Sequence, residues 1–125
     1  MGKRAGQQNP FFQRKKGDKE SNAYAVASIG PSTKRNKRFQ VTLKNGEIYH
    51  FGLLNPVHGT YIDHGNKEIR YRYWARHYGN AKEKELIDNL IPSASVYSAY
   101  ILWGEHKSIE KNIRELNNLI RSQMD

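Results

Sequence analysis

Apolar positions along this chain change their spacing, and the changes divide it into parts. From Lys37 the pattern alternates: Phe39, Val41 and Leu43 are separated by polar residues, Asn45-Gly46 follows, and Glu47-Ile48-Tyr49-His50-Phe51-Gly52 returns. Alternation on both sides of Asn-Gly predicts a β-hairpin with a two-residue type I′ turn, whose central residues both take positive φ. With that loop, Leu43 faces Ile48, Val41 faces His50 and Gln40 faces Phe51. The face predicted to be buried then carries Phe39, Val41, Leu43, Ile48 and His50. Upstream, the run from Ala23 to Ile29 predicts a further strand ending at the Gly30-Pro31 turn signal.

Beyond a loop over 53–60 the period becomes helical. Asp63 or Asn66 can cap a helix over 67–78, Glu68 suits its N-terminal dipole, and Gly79 ends it. Asn80 with Glu83 resembles a capping box for a second helix, whose stripe is Leu86, Ile87, Leu90 and Ile91 and whose stop is Pro92. Ser93 opens a short third helix carrying Val96, Tyr97, Tyr100, Ile101 and Trp103, closed by Gly104. Ser108 opens the fourth, where Ile109, Ile113, Leu116 and Ile120 form one stripe expected to bury against its own domain. Strands first and helices after is the α+β order: a small antiparallel sheet of two or three strands packed against three to four helices. Residues 23–125 read as that single domain. Residues 1–22, with Phe11 and Phe12 as their only large apolar groups, read as an extended basic arm with too little to bury to fold alone.

Charge sharpens the division. The net charge of +9 is uneven: residues 1–38 hold ten Lys and Arg against two acids, and residues 39–125 hold eleven against ten. Lys3, Arg4, Arg14, Lys15, Lys16, Lys34, Arg35, Lys37 and Arg38 are therefore the expected partner contacts, with Phe11 and Phe12 able to dock in a groove. The absence of cysteine excludes disulfides, thiolate nucleophiles and cysteine-based zinc sites. No apolar run is long enough for a membrane span, and none follows the basic start as a secretory signal requires, so a soluble intracellular protein is expected.

The stretch YIDHGNKEIRYRYWARHY (61–78) concentrates three arginines, two histidines and five aromatic rings. In one reading Arg70, Arg72 and Arg76 meet phosphates while Trp74 or a tyrosine stacks on a base. In the favoured reading Ile69, Tyr73 and Trp74 cover the hairpin, Glu68 pairs with Arg72, and an arginine edge is left for a partner. His50, His58, His64, His77 and His106 with Asp63 raise the question of a metal or a general base. Their spacing fits neither a helical ligand pair nor a ββα nuclease, so His50 is expected as a hydrogen-bonded core histidine and His64 as a helix-entry residue. There is no phosphate-binding or dinucleotide glycine loop, no nucleophile elbow and no carboxylate pair. The expectation is a non-enzymatic protein without cofactor, metal or small-molecule substrate.

Four motifs in order, Tyr49-His50-Phe51-Gly52, Tyr61-Ile62-Asp63-His64, Arg70-x-x-Tyr73-x-x-Arg76-His77 and Ser98-x-x-Ile101-Leu102-Trp103, resemble a family of small basic proteins of large double-stranded DNA viruses. The likeness spans about residues 37–113. It departs in the basic arm and in Ile101, where leucine is usual. It implies a shared fold and a viral setting and carries over no catalytic residue. Together these readings point to a structural protein of the virion, a minor capsid or cement-like component that meets capsid subunits through its arm and domain. Such a protein is found in host cytoplasm or nucleus during assembly. The alternative is a nucleic-acid-binding protein that condenses or packages the genome.

Overall fold

The computed structural model describes residues 23–54 and 58–124. Lys3, Arg4, Phe11, Phe12, Arg14, Lys15 and Lys16 lie outside the described residues. Strands β1 (Val26–Pro31), β2 (Lys37–Leu43) and β3 (Ile48–Leu53) form an antiparallel sheet in the order β1-β2-β3. Helices α1 (Tyr61–His64), α2 (Lys67–Tyr78), α3 (Ala81–Asp88) and α4 (Ala94–Tyr97) follow, then a π turn at Ser98–Leu102 and α5 (Ile109–Met124). The class is α+β as expected, with more helical pieces than the three or four predicted.

The hairpin is where it was expected, but its register differs by one residue. Leu43 N–H donates to Glu47 O and Gly46 N–H to Leu43 O, so the loop has three residues. Gly46 alone in it takes positive φ, at 94°. This is a type I turn followed by a left-handed glycine, and Asn45 supports it by accepting from the Glu47 amide at 2.8 Å. One residue of slip turns the whole of β3 over. Phe51 now faces Phe39 and Tyr49 faces Val41, while Ile48 is 51% exposed. The predicted placement of Ile48 and His50 on the buried face is thereby corrected: His50 is opposite Gln40, and its Nδ1 pairs with Ser32 Oγ at 2.7 Å.

β1 continues through Gly30-Pro31 instead of ending there, with Pro31 opposite Phe39. An edge strand tolerates proline because one row of its amides has no ladder partner. Asn117 of α5 ties the start of this edge: its Oδ1 accepts from Val26 N–H at 2.8 Å and its Nδ2 donates to Val26 O at 3.1 Å.

The core lies between the sheet and the segment from α4 to α5. Tyr97 packs on Tyr49 and Phe51, with ring centroids at 5.6 and 6.0 Å. Ile101, Leu102, Leu116 and Ile120 complete the buried layer. Leu116 and Ile120 show that the last stripe does bury against its own domain.

Two helices depart from expectation. The rings of α2 lie on the π turn and the residue that follows it, not on the hairpin: Tyr73 stacks on Trp103 at 4.3 Å and 6°, and Trp74 meets Tyr100 edge-on at 5.4 Å. The limits of α2 agree with the sequence, since Asn66 Oδ1 accepts from Ile69 N–H. Helix α3 stops at Asp88, short of Pro92. Leu90 takes φ 52°, its amide donates to Ile87 O, and Ile91 N–H reaches back to Leu86 O. That is a Schellman ending in which a leucine holds the left-handed position. Asn80 caps α3 as expected, but Glu83 gives its carboxylate to His77 Nδ1 and does not close a capping box.

Candidate functional site

The chain between the π turn and α5 is held from inside by one polar residue. Asn112, 2% exposed, donates from Nδ2 to Ile101 O at 2.9 Å and His106 O at 2.8 Å, and accepts from His106 N–H at 3.0 Å. Gly104 passes so close that an added Cβ would stand 2.4 Å from Tyr100 O and 2.6 Å from Asn112 Cγ. Only glycine fits there. The carbonyls exposed by this turn are taken up by α2: Arg70 Nε donates to Trp103 O and Gly104 O, both at 2.9 Å, and Trp74 Nε1 donates to Trp103 O at 2.8 Å.

This junction leaves a groove of about 280 Å³ between α2, the π turn and α5. Its lining runs from the buried Gly104, Asn112 and Leu116 through the half-buried Arg70, Trp74 and Tyr100 to the exposed Glu105, Glu115 and Leu119. Leu119 is 45% exposed. An apolar, aromatic-sided concavity with a few charged groups at its edge is the usual chemistry of a recognition pocket. The volume holds one or two side chains.

The predicted contact residues have separate fates. Lys34 and Arg35 are exposed in the β1–β2 connection, and Lys37 is half-buried at the start of β2. Arg38, expected as a partner contact, makes an internal tie: it donates to both oxygens of Asp63 at 2.9 and 2.8 Å. Asp63 Oδ2 also accepts from the amide and the hydroxyl of Thr60, closing the capping box of α1. Arg38's hydrogen bonds, ahead of those from Thr60, hold the Asp63 carboxyl well below the usual carboxylate range although burial opposes them, and the same bond raises Arg38. Arg70 is likewise turned inward. Arg72 pairs with Glu68 on the surface, as its spacing predicted, and Arg76 is exposed.

The histidines do not converge. Besides His50 on Ser32 and His77 on Glu83, His106 Nε2 meets Glu115 Oε2 at 2.6 Å. His64 Nδ1 accepts from Asn66 N–H at 2.8 Å, which puts its proton on Nε2. That buried Nε2 has no hydrogen-bond partner, and the ring packs against Trp103 with centroids 5.6 Å apart and planes inclined at 62°. Among the described residues the one group of ligand-type atoms is Glu105, His106 and Glu115, within 4.8 Å of one another at the groove's edge. Burial pushes the hydroxyls of Tyr73 and Tyr97 up, and burial followed by the bond to Asp88 takes Tyr78 to about 12, so these phenols stay protonated at neutral pH.

Sequence reasoning missed the groove, above all Tyr100 in its lining, Leu119 as its exposed apolar group, and Glu105 and Glu115 as its acids. One signal was present: Asn112 interrupts the apolar stripe of α5 three residues after Ile109 and four before Leu116. A polar residue there has to be satisfied from within.

Residues 27–77, from β1 almost to the end of α2, match a family of unknown function, DUF5754. No curated protein and no solved structure matches the chain.

Proposed function

We propose that this chain is a non-enzymatic structural protein of a virus particle, a minor capsid or cement-like component, whose domain docks on neighbouring protein subunits. The observation that carries the docking reading is the groove of Trp74, Tyr100, Leu116 and Leu119 edged by Glu105 and Glu115. The two carboxylates outnumber the one lining cation, Arg70, whose Nε is bound to the Trp103 and Gly104 carbonyls, and so disfavour a phosphate backbone, whereas aromatic and aliphatic walls suit a protein side chain. The inward turn of Arg70 and Trp74 supports the same reading, because the helix that would have stacked on bases spends those groups inside the fold. The viral setting rests on the motif resemblance. Localisation to the virion, and to host cytoplasm or nucleus during assembly, follows from it. Among the described residues no helix is long and apolar enough to cross a membrane.

The test is quantitative mass spectrometry of purified particles after high-salt and nuclease washes. A fixed copy number with a protein partner that survives both washes is expected, and absence from particles overturns the proposal. The second reading, genome binding, is favoured by the exposed Lys34, Arg35 and Arg76. It requires an affinity for DNA that falls steeply with salt, in proportion to the phosphates neutralised.

A further inference from the structure

We propose that the groove receives Phe11 and Phe12, with Arg14, Lys15 and Lys16 beside them, from a second copy of this chain. This rests on the protein-docking reading above and names its partner. Chemistry is the first support. A phenyl ring suits a concavity of about 280 Å³ lined by Trp74, Tyr100 and Leu116. The cations that follow it in sequence suit the exposed Glu105 carboxylate and that of Glu115, whose Oε2 already meets His106. The N-terminal 22 residues hold six basic and two acidic side chains, a net +4, and residues 23–125 are also basic overall, so the complementarity is local to the two acids of the groove.

Position is the second support: the chain's own segment has to wrap half-way round α5 to enter the groove, whereas a neighbour's approaches it from outside. The chain enters the domain next to Val26, whose backbone is bound to Asn117. Asn117 lies two residues from both Glu115 and Leu119, roughly 160–200° around the helix, so the entry point and the groove are on opposite sides of α5. From Ala23 back to Phe12 is eleven residues, a reach of up to about 36–40 Å, enough to meet a neighbouring domain.

The experiment uses the full chain with photoreactive p-benzoyl-phenylalanine in place of Phe12, irradiated alone and read by gel and mass spectrometry. The expected product is an inter-chain cross-link onto the groove, at Trp74, Tyr100 or Leu119. Its yield should fall at least about fivefold with Leu119→Ser or Glu115→Lys, each at an exposed position, with circular dichroism as the folding control. Lys15→Glu on the photoreactive chain should restore the yield on Glu115→Lys, which a structural effect of either change does not do. Cross-links elsewhere, products confined to one chain, or a yield unmoved by both variants overturn the proposal. The same variants, used as bait for particle proteins, separate the two claims. If Leu119→Ser loses a salt-stable particle partner but no groove cross-link forms, the docking reading stands and this occupant is wrong; if neither responds, both fall.

Discussion

Replacing Asn112 tests whether one buried amide organises the groove. Asn112→Leu keeps the branched outline of the side chain with bulkier ends and removes three hydrogen bonds, so its effect reports chiefly on the backbone groups left behind. Ile101 O sits deep in the core, and an acceptor stranded there costs about 2 kcal/mol; the amide and carbonyl of half-buried His106 regain some water and cost about 0.5–1 kcal/mol each. The expected loss is about 3–4 kcal/mol, a large share of the stability of a domain this size. Asn112→Ala should lose as much or slightly more, because it adds a small cavity. Urea unfolding followed by tryptophan emission is a direct assay, since Trp103 lies in this segment stacked on Tyr73 and Trp74 donates to the Trp103 carbonyl. A loss below about 1 kcal/mol for Asn112→Leu, with an unchanged slope, would refute the idea that these three bonds hold the turn.

Gly104→Ala should cost about 2–3 kcal/mol by forcing Tyr100 O and Asn112 apart, and the double variant with Asn112→Ala should fall short of the sum of the two; additivity in the same unfolding assay contradicts a shared contact. Asp63→Asn should cost about 1 kcal/mol at neutral pH, discounted for partial exposure of the pair. Because the Asp63 carboxyl is depressed in the folded state, its contribution is present above the ordinary aspartate range near pH 4 and is lost as pH falls below it, so the variant should show a flatter acid limb in a pH series of unfolding curves. Leu90→Val should destabilise by about 1–2 kcal/mol, since a β-branched residue is poorly suited to the left-handed φ of 52°, and no change in midpoint would argue against that conformation. Ile48→Thr should change stability by less than about 0.5 kcal/mol while Phe51→Ala costs about 3–5 kcal/mol, a contrast that the two-residue hairpin register would reverse for Ile48.

The last pair shows where the sequence was informative and where it was not. Asn45-Gly46 located the hairpin but serves two loops equally well, a two-residue type I′ turn and a three-residue turn with a left-handed glycine. What separates them is outside the local window: Phe51 must reach Tyr97, which is 46 residues away in sequence. The bounds of α2 were legible because Asn66 and Gly79 act through their own backbone neighbourhood. The end of α3 was not, because Leu90 and Ile91 continue the apolar spacing after the backbone has turned. Arg38 and Arg70 looked available because their acceptors, Asp63 and the carbonyls of Trp103 and Gly104, are distant in sequence. The groove was hidden for the same reason, since α2, the π turn and α5 meet only in the fold. Its anchor, Asn112, was in principle visible as a polar break in an apolar stripe.

The separation of charge along the chain has a consequence for assembly. Residues 1–38 hold ten basic side chains against two acids, residues 39–125 hold eleven against ten, and two of those acids stand at the groove. Placing one copy's segment in another copy's groove makes a heterologous contact, since donor and acceptor surfaces differ. Such contacts either close into a ring or continue from copy to copy, whereas a two-fold dimer uses the same patch twice. A chain built this way has no intrinsic stopping point unless its geometry closes or a different subunit occupies the end. A fixed copy number in a particle would then be set by the surrounding shell, and the isolated chain should associate in proportion to its concentration without a plateau at the dimer. Sedimentation that stops sharply at two copies would instead place the segment and groove on a closed symmetric contact, and the shell would no longer be needed to terminate it.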